Sequence, residues 1–308
     1  MNYPHIEDAC RAACAQVGVD YRPVPHDGRF HVADISNDPR GKNDGRIQIT
    51  PDGQRVQVFN NKSSERTQLF LNSDQARTMS PADKARIAQE QRQREAERAA
   101  ECNRKAAIAR RDYRKAQAWP FEPTGYMRRK DLPNAHCAKR GRFDRRVRCV
   151  DGIVRRLVVD GVLLAPVLDR FERIRNIQYI FDQAPPEIGR DKTFIAGGEL
   201  SGCFCRIGAP TDTLFLVEGF ADAVCLHADT GCRVFIAFSA GNLPAVASII
   251  RELYPAASII VCQDNDAVGA RKAEEAASLI DGTVYAPPFG KDYNDSYIEQ
   301  RRLERERG

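Results

Sequence analysis

At 308 residues the chain has room for two or three domains and a substantial core. Its formal net charge of +5 is unevenly spread, no apolar run is long enough to span a bilayer, and the opening Met1-Asn2-Tyr3-Pro4-His5 carries no signal-peptide pattern. A membrane partner is therefore not expected, and the ten Cys read as reduced thiols of a cytoplasmic protein rather than a disulfide framework. No G-x-x-x-x-G-K-[ST] loop occurs, so the chain is not expected to hydrolyse ATP as a helicase on its own.

Residues 1–75 read as a small α+β unit. Helical spacing runs over 6–17, alternation over 29–34, and the segments 46–50 and 55–60 flank Pro51-Asp52-Gly53, a hairpin turn signal. Cys10 and Cys14 with His26 and His31 have nearly the spacing of a two-Cys two-His finger. The Cys pair falls on the helix and the His pair near the strand, the reverse of such a finger, so zinc is not expected. Ser80-Pro81-Ala82-Asp83 is a helix start, with Ser as N-cap and Pro at the first helical position. From there to about 118 the chain is Ala, Arg, Glu, Gln and Lys, good helix formers that would make a rod ~55 Å long. A helix polar all round reads as a solvated spacer.

Residues 119–208 read as a small basic mixed α/β domain with apolar segments at 153–159, 162–167 and 174–181, punctuated by Pro and Gly. Charge tips to positive between 103 and 156, notably at Arg128-Arg129-Lys130, Arg142, and Arg145-Arg146, with Tyr113, Trp119, Phe121, Tyr126 and Phe143 interleaved. Such a stretch is either a solvated basic face on a helix and a loop, or a track for a single nucleic-acid strand whose bases stack on the rings.

Residues 209–300 alternate apolar strands (214–217, 234–238, 259–262, 284–286) with helices (220–228, 243–253, 268–280, 292–305). That alternation predicts a parallel sheet with right-handed crossovers. Acidic residues follow three of the strands: Glu218 and Asp222, then Asp264 and Asp266, then Asp292 and Asp295 beside Lys291. Carboxylates at the carboxyl ends of parallel strands converge on one crevice, and oxygen ligands in such numbers suit Mg²⁺ or Mn²⁺. Asp264 and Asp266, two apart, would point to one side of an extended segment and share a metal. Gly219 and Gly269 would let backbone approach or turn sharply beside the acids. Asp222 reads equally well as a metal ligand and as a helix N-terminal charge.

The spacing E-G-x-x-D-A, then D-x-D-x-x-G, then K-D-x-x-D resembles the Toprim fold of bacterial-type primases, topoisomerases and some nucleases. Among these, the basic domain preceding the Toprim part is similar to that of primases, as are Gly161-Val162-Leu163-Leu164-Ala165-Pro166-Val167, Ile177-Gln178-Tyr179-Ile180, Gly189-Arg190-Asp191-Lys192-Thr193-Phe194 and Gly202-Cys203-Phe204. Ala237-Phe238-Ser239-Ala240-Gly241-Asn242-Leu243 and Gly28-Arg29-Phe30-His31 resemble the primases of phages, plasmids and integrative elements. The resemblance implies a DNA primase making short RNA primers on single-stranded DNA from NTPs, with Glu218, Asp264 and Asp266 catalytic and Asp222, Asp292 and Asp295 completing the metal ligands. It implies nucleic-acid or NTP contacts for Lys192, Arg190, Lys291 and the basic residues named above, and a separate helicase as partner. The alternative is a Toprim nuclease or nicking enzyme, or an inactive single-strand-binding accessory protein.

Overall fold

The computed structural model describes residues 3–38, 43–63, 65–71 and 81–307, in two compact units, 1–94 and 95–308. In the first unit, helix α1 (Ile6–Gln16) precedes strands β1 (His31–Ala33), β2 (Gly45–Ile49), β3 (Arg55–Asn60) and β4 (Arg66–Phe70), an antiparallel sheet in sequence order. Pro51-Asp52-Gly53 turns β2 into β3, with Gly53 in the left-handed region. Ile47, Ile49, Val56 and Val58 alternate onto the face covered by Ala9, Cys10, Ala13 and Cys14 of α1. Cys10 and Cys14 are thus core residues one helical turn apart, while His31 pairs with Asp27. The N-cap expected at Ser80 lies outside the described residues.

Helix α2 (Pro81–Lys115) begins where the sequence predicts, but its last turns are not bathed in solvent all round. Ala106 and Ala109 are fully buried, and Ala109 meets Phe143, Leu157, Val162, Leu164 and Tyr179, with Ile108 and Tyr113 alongside. Alanine faces carry little hydrophobic signal, which is why composition alone reads this stretch as a spacer.

A short helix α3 (Gly125–Arg129), capped by Thr124, leads into an antiparallel sheet of β5 (Lys139–Arg148), β6 (Val154–Leu168), β7 (Ile174–Ile180) and β8 (Lys192–Phe194). The basic run 139–148 is a strand, and the apolar segments 153–159 and 162–167 are one fifteen-residue strand that continues through Gly161.

The remaining sheet has the order β13 (Thr283–Tyr285), β12 (Ser258–Cys262), β10 (Thr213–Val217), β11 (Arg233–Ile236), β9 (Cys205–Ile207), parallel except for β9. Its crossover helices are α4 (Phe220–Thr230), α5 (Leu243–Leu253) and α6 (Ala267–Leu279), with α7 (Tyr293–Arg307) last. Period-two alternation sorts the strands between two cores: Leu214, Leu216, Phe235, Ile259 and Val261 face α5 and α6. On the other face, Val217, Val234, Ile236 and Cys262 join α4, Tyr297 of α7, and Tyr126, Met127, Leu163 and Ile180. The last four belong to α3 and the antiparallel sheet, so the two sheets share one core. The acidic edge is thereby held against the basic segment.

Candidate active site at the carboxyl edge of the parallel sheet

Strand β10 pairs with β11 on one side and β12 on the other, so chain order reverses between β10 and β12. Ligands of open parallel sheets bind outside that reversal. Glu218 directly follows β10 and Asp264 lies two residues past β12, which puts these two acids on the neighbouring strand ends.

The helices that begin at this edge hold the other acids. Asp222 is buried in the first turn of α4. Asp266 caps α6, accepting N–H groups of Val268 and Gly269, and Asp292 accepts the N–H of Asp295 in the first turn of α7. Residues 264–266 form a turn, with the Asp266 N–H on the Asp264 carbonyl at 2.8 Å, rather than the extended segment the D-x-D spacing predicts. Helix N-terminal N–H groups favour negative charge at Asp266 and Asp292, which solvent still reaches. For Asp222, Asp266 and Asp292 the capping and ligand readings describe the same place.

Glycine makes the close approach possible at two points. A Cβ on Gly219 would stand 2.2 Å from Oδ2 of Asp222, and one on Gly269 would stand 2.9 Å from the backbone oxygen of Asp264. Asn265 fastens the third cluster to the second: its side chain donates to the carbonyls of Pro287 and Gly290, and its N–H to that of Lys291 at 2.7 Å.

The acids repel one another. Burial, then the charge of Glu218, pushes Asp264 up to about 6, with Lys291 opposing. Burial, then Asp292, pushes Asp222 up to about 7, while the Asn294 N–H pulls the other way. Burial likewise raises Glu218, offset by Lys291 and Lys192. Excess negative charge held at a sheet edge is relieved either by protonation or by a cation. Hard carboxylate oxygens on Glu218, Asp264 and Asp266 fit Mg²⁺ or Mn²⁺; Mg²⁺ in particular keeps several waters and takes one or two carboxylates rather than a closed cage. Among the described residues, no group of three or more His, Cys, Asp or Glu side chains is already drawn together to hold a metal ion.

The basic candidates divide. Lys291 Nζ is 3.9 Å from Asp264, and Lys192, on β8, acts on Glu218 and Asp222 while lying over the Tyr126 ring. Lys130 lies 3.5 Å from Asp295 and 4.0 Å from Asp292. Arg128 pairs with Glu122, Arg129 with Asp191, and Arg190 is exposed on the loop before β8. On β5, Arg142 and Arg146 point outward, whereas Arg145 turns with Phe143 to the covered side, bound to Asp112 and the Tyr179 hydroxyl. Sequence reasoning did not single out Asn242, which ties two primase-like stretches together. Its side chain accepts the Gly202 N–H and donates to the Leu200, Cys203 and Ala237 carbonyls.

Residues 213–302 match the Toprim domain family. The chain is 26% identical over 285 residues to DNA primase TraC of Escherichia coli, covering 87% of this chain and 25% of the relative. It thus spans about a quarter of the length of that protein. Among solved structures it is similar to the DnaG primase catalytic domain bound to ssDNA (TM-score 0.42, 14% identity, 68% of this chain and 81% of that one). It is also similar to the primase fragment of the bacteriophage T7 primase-helicase protein (TM-score 0.37, 14% identity, 91% and 99%). Residues 213–302 are a Toprim domain, in a chain similar over most of its length to part of a DNA primase.

Proposed function

We propose that residues 119–300 form the catalytic core of a DNA primase that makes short RNA primers on single-stranded DNA from NTPs. In this reading 119–208 hold template and nucleotide, 209–300 carry the chemistry, 80–118 link them to the unit at 1–75, and a separate helicase opens the duplex in the cytoplasm. The observation that carries it is the placement of Glu218 and Asp264 on neighbouring strand ends, with Lys192 of the antiparallel sheet offering positive charge to Glu218 and Asp222. Similarity to a DNA primase over most of the chain supports it.

Glu218, Asp264 and Asp266 would hold Mg²⁺ or Mn²⁺, with Asp222, Asp292 and Asp295 around them. When bound there, the ion supplies charge neutralisation and polarisation for phosphoryl transfer. Glu218 directly follows β10, where its carboxylate can also accept the proton of the attacking 3′-hydroxyl. As the oxygen–phosphorus bond forms, the bond to the leaving pyrophosphate breaks, and Lys192 and Lys291 offer positive charge to the phosphate oxygens. Arg128, Arg129, Arg142, Arg146 and Arg190 are exposed and can follow a template backbone.

Incubation of the full chain with a short single-stranded template, labelled NTPs and Mg²⁺ tests this reading. Labelled RNA shorter than the template is expected. Loss of the template strand without labelled product would favour a Toprim nuclease, and retention on the strand with neither would favour an inactive binding protein.

A further inference from the structure

Asp292, Asn294 and Asp295, three residues of one motif, all address a single lysine 162 to 165 positions earlier in the chain. The Asn294 side-chain amide, fully buried, donates to the Lys130 carbonyl at 2.7 Å and so fixes the end of α3 against the start of α7. From there the Lys130 side chain reaches Asp295 Oδ1 at 3.5 Å and Asp292 Oδ2 at 4.0 Å. The other oxygen of each carboxylate is taken by backbone: Asp295 Oδ2 accepts the Lys291 N–H, and Asp292 Oδ1 accepts the Asp295 N–H. Lys130 is 24% exposed against 21% for Asp292 and 42% for Asp295, so solvent screens its contact with Asp292 less than its contact with Asp295.

The other half of the edge has no such arrangement. The cation nearest Asp264 is Lys291, 3.9 Å away with a side chain 65% exposed and therefore easily displaced. The acidic edge is thus divided into a half whose cation, Lys130, is partly buried and a half whose nearest cation to Asp264, Lys291, is exposed.

We propose that Lys130 occupies the cation position at Asp292 and Asp295, so that a divalent ion enters first at Glu218, Asp264 and Asp266. An ion at Asp292 and Asp295 must displace the lysine. This inference rests on reading the edge as a metal site, and it assigns Lys130 to ordering metal entry rather than to template binding alone. A unit charge about 4 Å away opposes an incoming ion by enough to change affinity at least roughly tenfold.

Mn²⁺ binding to the full chain, followed by the loss of the free-ion signal in electron paramagnetic resonance, tests it without reference to activity. Wild-type protein should bind one ion tightly and a second at least about tenfold more weakly. Lys130→Met should tighten the second site toward the first, Lys130→Arg should keep the wild-type pattern, and Lys130→Met with Asp295→Asn should lose the gain. Thermal unfolding of each variant identifies any that is not folded, and the Arg variant keeps the comparison usable if the Met variant fails. Identical isotherms for wild type and Lys130→Met, a Met-type isotherm for Lys130→Arg, or a gain that survives Asp295→Asn would overturn the proposal. No Mn²⁺ binding by any of the proteins would overturn the metal-site reading itself.

Discussion

Asn294 donates its backbone N–H to Oδ1 of Asp222 at 3.0 Å, joining the first acidic cluster to the third across 72 residues. Its side chain meanwhile donates to the Lys130 carbonyl and to Cys225 Sγ. Changing Asn294 to Ala keeps the first bond and removes the others, leaving the part-buried Lys130 carbonyl without its partner. The expected cost is about 1–3 kcal/mol, read as a lower urea midpoint with an unchanged slope. An unchanged midpoint would mean the side chain contributes nothing to closing the edge.

Asp264→Asn and Glu218→Gln should each lower primer synthesis by at least about a hundredfold, since removing one carboxylate leaves the ion under-held and the hydroxyl unactivated. Neither should lower the thermal midpoint of the metal-free protein. Burial and mutual repulsion already disfavour both charges, and an amide relieves them. Near wild-type synthesis by either variant at saturating Mg²⁺ would remove that residue from the site.

Much of this arrangement is legible in the sequence. Strands β10 and β12 announce themselves as short apolar runs, and Glu218 and Asp264 follow them because a strand end is where a carboxylate can reach a shared crevice. What is not legible has physical reasons. Strand β4 buries little, and its polar residues resemble a loop. The difference between Arg145 and Arg146 depends on the register of β5 after its irregularity at Gly141 and Arg142. The Lys130 contact depends on how two segments 165 residues apart meet, which no local pattern encodes.

Template affinity should fall steeply with salt, because Arg and Lys on the strand release its counterions. Changing Arg142, Arg146 and Arg148, all exposed on β5, to Ala should reduce the slope of log affinity against log salt by up to about two. Arg145→Ala should behave differently. It strips Asp112 and Tyr179 of a half-buried partner and should lower stability by about 1–3 kcal/mol. Fluorescence anisotropy across a salt series, with urea unfolding of each variant, checks both, and an unchanged slope in the triple variant would mark β5 as a solvated face.

His136 supplies a pH signature. Burial, then the charge of His227, whose ring meets it edge-on with centroids 5.0 Å apart, pushes it down to about 4 from an ordinary value near 6.5. The unfolded chain takes up a proton over that window and the folded chain does not, so this group lowers stability as pH falls from about 6.5 toward 4. Asp222 and Asp264, raised above the usual carboxylate range, act in the opposite sense. Comparison with His136→Asn isolates the histidine, and Asn suits the left-handed backbone at that position. Unfolding free energies from urea titrations should fall further between pH 7 and pH 5 in wild type than in the variant. Parallel pH profiles would contradict this.

The proposed chemistry requires the strand-end carboxylates to meet around a cation. Crystals of the full chain soaked in Mn²⁺, with data collected at the manganese absorption edge, test this directly. An anomalous peak within coordination distance of Glu218 and Asp264 is the predicted result. A peak elsewhere, or none at an ion concentration that saturates binding in solution, would contradict it.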